Sequence, residues 1–338
     1  MGEETTRHHR GELYAALAAT GFGSAYVATS FALTAFDPVP AAAVRSFLAA
    51  IAVGVLVVVR GRRGSSARHG TPSRGGGTPS NAIGPNATAG RPSSTARAVR
   101  LLVLATFAGP LFLASMNLAV AHVGAAIAAF VAGLYAVLSA VIAPVLLPER
   151  LTMRVLAGFV LALFGTALLA ELDPNGTDVV GMGWGFLAAL SFALYLVLAR
   201  RWSAPYGLDG GTVAFSIGSL TAVVLGGFVL ATDPALLVPT APSVEAVVAM
   251  GWLAAVAALG PVLMVASVRL IPAARSAAFL LLNPITATIL AVVLLGERPS
   301  PLQLAGGVLV LLGMAAATIP GRAGKTWTAG GAPGGGLS

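Results

Sequence analysis

Residues 125–169 lie on residues 273–317 at a constant offset of 148, and 18 of the 45 paired positions are identical. Both segments are built mostly from Ala, Leu and Val, so part of that identity is compositional. The pairing of Glu149-Arg150 with Glu297-Arg298, of Gly158 with Gly306 and of Gly165 with Gly313 is harder to obtain by chance. A chain that carries one apolar unit twice points to an architecture of two related halves.

The unit is a membrane unit. Ten apolar runs stand out, at 13–36, 39–59, 101–121, 123–147, 151–170, 179–199, 212–231, 244–268, 271–295 and 302–319. Nearly all reach the ~20 residues a helix needs to cross a bilayer. They are too long and too uniformly apolar for barrel strands. Only 9 % of the 338 residues are charged, against about 25 % in a soluble domain. The expected fold is therefore an all-α membrane protein of ten transmembrane helices, arranged as two five-helix repeats. The first run follows a charged N-terminus, as a secretory signal does. Its length and the nine similar runs behind it read as a retained first helix.

Charge gives the orientation, because Lys and Arg concentrate on cytoplasmic loops. With the N-terminus inside and ten crossings, 18 of the 20 basic residues become cytoplasmic: Arg7, Arg10, eight arginines between 60 and 100, Arg150, Arg154, Arg200, Arg201, Arg269, Arg275, Arg322 and Lys325. Arg298 falls outside and Arg45 within the second run. Asp37, Glu171, Asp173, Asp178, Asp233, Glu245 and Glu297 face out. Both termini are then cytoplasmic. Five crossings per unit is an odd number, so the two units are inverted relative to each other, the arrangement used for alternating access around a midplane site.

A weaker pairing of residues 17–27 with 187–197 has an offset of 170, which is 22 more than the later pairing. The first unit thus holds extra residues, and the segment 61–100, rich in Gly, Ser, Pro, Thr and Arg, supplies them. It is expected to be a disordered, solvated cytoplasmic loop rather than an arm for nucleic acid. The expected domains are a first repeat at 13–171, a second at 179–320 and a disordered cytoplasmic tail at 321–338.

The stretch 273–317, AARSAAFLLLNPITATILAVVLLGERPSPLQLAGGVLVLLGMAAA, resembles the second unit of the EamA-like transporters of the drug/metabolite transporter superfamily. The shared features are Asn283-Pro284, Gly296-Glu297 thirteen residues beyond the proline, and Gly306 and Gly313. The resemblance spans about 13–320 and implies ten helices in two inverted units. The segment 181–200 is further similar to amino-acid exporters within that family. One departure is local. Ala136 stands where the repeat would repeat Pro284, and Pro144 and Pro148 occur instead, so a kink closer to the cytoplasm is expected in the fourth helix.

Polar groups inside a bilayer are costly and tend to mark pathways. Eight residues are candidates for substrate binding or for the pathway: Tyr26, Arg45, Asn117, Tyr135, Tyr195, Arg275, Asn283 and Pro284. Arg45, where the family commonly has an arginine, binds a substrate carboxylate or backbone carbonyls, or snorkels outward. Arg275 lies nearer a span end, where snorkelling is easier. Pro284 frees backbone acceptors in its helix or only shapes packing, and Asn283 is expected to point inward. Ser24, Ser139 and Ser191 are expected to bond their own helix carbonyls. Structural roles fit the repeated residues: Glu149 and Glu297 for pairing with Arg150 or Arg154 or with neighbouring helix N-termini, and Gly158, Gly165, Gly306 and Gly313 for close helix packing.

Several chemistries are disfavoured. There is no cysteine, the four histidines show no metal-ligand spacing, and no P-loop is visible. No cofactor, no metal and no enzymatic activity are expected. No carboxylate lies mid-span, which argues against export of lipophilic cations through a buried glutamate. The sequence reads as a secondary transporter in the inner (plasma) membrane of a bacterium, exporting small metabolites, with amino acids or related zwitterions the favoured substrates. A lipid or glycolipid-carrier flippase is the alternative. The partners expected are a small-molecule substrate and the lipid bilayer, with a homodimer left open.

Overall fold

Pro110 and Gly124 mark two interruptions in the helices of this chain. A computed structural model describes residues 2–68, 93–147, 153–169, 178–203, 205–239, 243–268, 270–271 and 279–318. Glu149, Arg275 and the tail from 319 onward lie outside the described residues.

The chain opens with α1 (Gly2–Ala32) and α2 (Pro38–Arg68), joined by a turn in which the Ala41 amide donates to the Asp37 carbonyl at 2.9 Å. Pro38 at the first position of α2 costs nothing, since its missing N–H would be unpaired there anyway. The next apolar stretch, Ser94–Leu146, is continuous over 53 residues. At 1.5 Å per residue that is about 80 Å, enough for two crossings of a ~30 Å hydrocarbon layer. It comprises α3 (Ser94–Thr106), a π-turn at Phe107–Leu111 that holds Pro110, α4 (Phe112–Gly133) and α5 (Tyr135–Leu146). Gly124, at φ 79° and ψ 170°, interrupts α4 with a conformation that only glycine adopts freely.

Then follow α6 (Met153–Leu169), α7 (Val179–Trp202), α8 (Gly210–Thr232), a short 3₁₀ turn Pro234–Leu237, and α9 (Val244–Val268). A 3₁₀ turn, Phe279–Leu281, leads into α10 (Leu282–Leu290), which a π-turn extends to Leu295. The last helix is α11 (Pro301–Thr318). Among the described residues five segments are long and apolar enough to cross a membrane, and three shorter apolar helices accompany them.

Two expectations fall partly on described residues, while Pro148 and residues 69–92 lie outside them. The helices flanking the 61–100 segment intrude into it: α2 runs to Arg68 and α3 begins at Ser94, with the Ser93 hydroxyl accepting the Ala96 amide. Arg and Ala favour extension of both helices, whereas Gly61 and Gly64 in the extension of α2 oppose it, so the helix there continues one already formed. The second concerns the kink. In the first unit the helical ladder tightens at Leu134, whose amide donates to Val131 instead of to the carbonyl four residues back. The repeat places Leu134 on Leu282, and residues 131–133 on the 3₁₀ turn Phe279–Leu281. The break thus recurs at the equivalent place without the proline. Pro144 lies inside α5 without ending it.

Helix neighbours come in pairs related by exchanging the two units. The contact of α1 with α9 matches that of α7 with the first part of α4, and the contact of α1 with α10 matches that of α7 with α5. The pairs α2–α8 and α6–α11 map onto themselves. The α6–α11 crossing brings backbone against backbone. A Cβ on Gly165 would lie 2.6 Å from the Gly306 carbonyl oxygen, and one on Gly313 would lie 2.5 Å from that of Gly158. The four glycines face one another reciprocally, so that backbone lies on backbone. Elsewhere the buried core is dominated by alanine, while Phe47, Ile51, Val55, Val223 and Phe228 point away from the bundle.

Gly165→Leu is therefore expected to destabilise the protein by about 2 kcal/mol or more through overpacking. Gly183→Ala, where an added Cβ meets nothing within 4 Å, should stay within about 0.5 kcal/mol of the parent. Thermal unfolding of the detergent-purified variants measures both.

Candidate functional site

Arg45 has the least expected environment in the structure. It lies seven residues into α2, about 10 Å from the helix start, and is only 5 % exposed. Its Nε and Nη1 have no hydrogen-bond partner, and neither has the buried Ser46 hydroxyl beside it. Among the described residues no carboxylate pairs with it.

Three of the other candidates join Arg45. Tyr26 of α1 is buried within electrostatic reach of both Arg45 and Tyr135. Tyr135 opens α5, immediately beyond the tightened turn, and its hydroxyl lies within reach of the Asn283 side chain of α10. Asn283 is 6 % exposed and its Oδ1 has no partner. Tyr135 and Asn283 occupy the same position of the repeat, since 135 + 148 = 283. The two halves thus touch through equivalent residues that differ in chemistry. Pro284 is buried next to Asn283, and its carbonyl accepts the Thr288 hydroxyl.

Tyr195 of α7 reaches the group through aromatic rings. Its ring centroid is 5.3 Å from that of Phe192, which meets Tyr135 edge-to-face at 5.0 Å and Phe112 at 4.8 Å. Asn117 stands apart. Fully buried in α4, it donates from Nδ2 to the Pro38 carbonyl at 2.9 Å and so ties α4 to the start of α2. Arg275 lies outside the described residues.

Sequence reasoning did not single out Ser46, Gly23 or Phe192. Gly23 had a signal, the small-residue run GFGS at 21–24. A Cβ there would collide with the Asn283 carbonyl, so the glycine lets α1 close on α10 beside the cluster. Of the three serines expected to bond their own helices, Ser24 and Ser139 do, to Gly21 and Ala136. Ser191 instead donates across to the Phe107 carbonyl at 2.5 Å, in the π-turn where Pro110 interrupts the ladder. Among the described residues no group of three or more His, Asp or Glu side chains comes together to hold a metal.

One end of the bundle is tied by two carboxylates. Glu297, placed by the left-handed Gly296 that ends the π-turn, accepts the Ala125 amide at 2.9 Å and the Ala126 amide at 3.2 Å. It thereby caps the helix that restarts after Gly124, a favourable place for negative charge. Nearby, Asp178 caps α7 through the Gly181 amide and bonds His122 Nδ1 at 2.5 Å. The Gly181 amide first, and then His122, hold the Asp178 carboxyl below its ordinary range.

The EamA-like transporter family matches residues 9–170 and 179–319. A curated relative from Streptantibioticus cattleyicolor, named as a probable terminal-alkyne amino-acid exporter, is 31 % identical over 211 residues. That match covers 59 % of this chain and 66 % of the relative, a little under two thirds of its length. A protein of known crystal structure shares the fold, with a TM-score of 0.56 at 19 % identity, over 93 % of this chain and 96 % of that one.

Removal of the Glu297 carboxylate in Glu297→Ala leaves two amides of a restarted helix uncapped and is expected to cost about 1–2 kcal/mol. Glu297→Gln, which keeps an acceptor, should lose less. The lowered Asp178 group contributes stability above the ordinary carboxylate value. That contribution fades as pH falls through the depressed folded value, below about pH 4. Asp178→Asn is therefore expected to flatten the acid limb of a Tm-against-pH profile while leaving its neutral-to-alkaline shape intact.

Proposed function

Since the chain belongs to the EamA-like transporter family, a family of multi-pass membrane transporters, we propose that it exports small metabolites, amino acids or related zwitterions, by alternating access. The observation that carries this reading is the buried cluster of Arg45, Tyr26, Tyr135 and Asn283. It offers a cation without a carboxylate partner and an amide oxygen without a donor. A guanidinium is matched to a carboxylate by its paired N–H donors, and the free Asn283 Oδ1 is an acceptor for an ammonium group. An α-amino acid presents both. The relative named as a probable amino-acid exporter supports the same substrate class.

In this reading the chain crosses a bacterial inner membrane ten times, as five-helix repeats at 13–171 and 179–320 of opposite orientation, with both termini cytoplasmic. The exchange-related helix contacts and the positive charge of the intervening loops support that arrangement. The substrate site lies between the repeats, where Tyr135 meets Asn283. Tyr195 and the Phe192 ring extend it on one side, and Pro284 holds the bend that presents Asn283. Arg275 belongs to the pathway on the cytoplasmic side. The glycines of the α6–α11 crossing and Glu297 act as scaffold, and Glu149 takes the corresponding structural role in the first repeat.

Flux of radiolabelled amino acids in proteoliposomes, with and without a pH gradient, tests the reading. Saturable flux is expected in the parent and is expected to fall at least tenfold in Arg45→Ala and in Asn283→Ala, with both variants folded. No flux for any member of a panel spanning neutral, acidic and basic side chains would overturn the amino-acid assignment and favour a lipid cargo.

A further inference from the structure

With Arg45 read as a substrate contact, its environment bears on the transport cycle. The guanidinium is buried, two of its nitrogens lack a partner, and among the described residues the ionisable side chain within electrostatic reach is the Tyr26 phenol. A charge held in an apolar interior without a counter-charge destabilises the state that holds it. During alternating access the site passes through a conformation closed to water on both sides. The empty protein makes that passage with the Arg45 donors unpaired, whereas the loaded protein makes it with them paired to the substrate's carboxylate and the substrate's ammonium held by the unpartnered Asn283 Oδ1.

We propose that this transporter is a carboxylate counter-exchanger: the loaded carrier reorients fast, the empty carrier reorients slowly, and outward movement of one carboxylate is therefore coupled to inward movement of another. The compensating ion is a carboxylate rather than a simple halide. Arg45 presents a planar fork of N–H donors, and the unpartnered Ser46 hydroxyl stands next to it. Two oxygens in one plane satisfy such a fork, and a spherical anion does not.

The experiment uses the full-length protein in proteoliposomes loaded with radiolabelled L-leucine in chloride-free sulfate buffer. Exit is followed into medium that contains nothing further, unlabelled L-leucine, L-leucinamide or potassium chloride. External L-leucine is expected to speed exit at least tenfold, a difference of about 1.4 kcal/mol between the empty and loaded passages. Leucinamide, which lacks the carboxylate, and chloride should not. Arg45→Gln is expected to bring the ratio of exchange to net exit near one at saturating substrate, and Arg45→Lys to preserve it. A ratio near one in the parent, an undiminished ratio in Arg45→Gln, or equal acceleration by chloride overturns the proposal.

If labelled leucine is not carried at all, the amino-acid reading fails for that probe and a second measurement decides the present point. Substrate-free, detergent-purified Arg45→Met should melt several degrees above the parent, because it removes an uncompensated charge. An unchanged or lower Tm means that Arg45 is already compensated, and the proposal falls.

Discussion

A helix that breaks must find partners for the backbone groups it frees, most of all where water is not there to take them. The architecture of this protein depends on how that requirement is met. At Gly124, at one end of the bundle, the freed amides of Ala125 and Ala126 are taken by Glu297, which lies 172 and 171 residues further along the chain. At the Pro110 turn the Phe107 carbonyl is taken by Ser191 of α7. Each break is sealed from a distant part of the sequence. The defects in the helices are therefore also the ties between them, and the fold does not separate local structure from tertiary structure at these points.

The same economy explains the bundle's composition. Packing between helices in lipid gains little from burying apolar surface, since the lipid is equally apolar. Close approach and van der Waals contact replace it. The α6–α11 crossing is built on glycine, and most of the buried core is alanine. Large apolar side chains such as Phe47 and Phe228 are left on the exterior. Against this background of small side chains the few large polar ones stand out, and they converge where the two halves meet.

Much of this was legible in the sequence, for identifiable reasons. The duplicated Glu and Gly residues were conspicuous because they interrupt monotonous apolar runs. Long apolar runs map onto helices almost without ambiguity, although their ends do not: α2 and α3 extend into a segment that composition alone assigns to loop. The polar candidates Tyr26, Arg45, Tyr135 and Asn283 were found because any such residue in an apolar run is anomalous. Their convergence was not readable, since it requires the packing of four helices distant in sequence. Asn117 looked equivalent to them and instead holds the start of α2. Ser191 looked like any other serine in a helix, and only the Pro110 turn facing it gave it a partner elsewhere. The tightened turn at Leu134 carries no proline to mark it, and it shows only when the structure is laid on the repeat, opposite the turn Phe279–Leu281.

That last feature makes the two halves unlike in their backbone. Ala136 keeps the backbone amide that Pro284 lacks. One helix can therefore donate to its own ladder just past the tightened turn, and its counterpart leaves a carbonyl over. A single imino acid turns two similar segments into a donor-complete one and a donor-poor one.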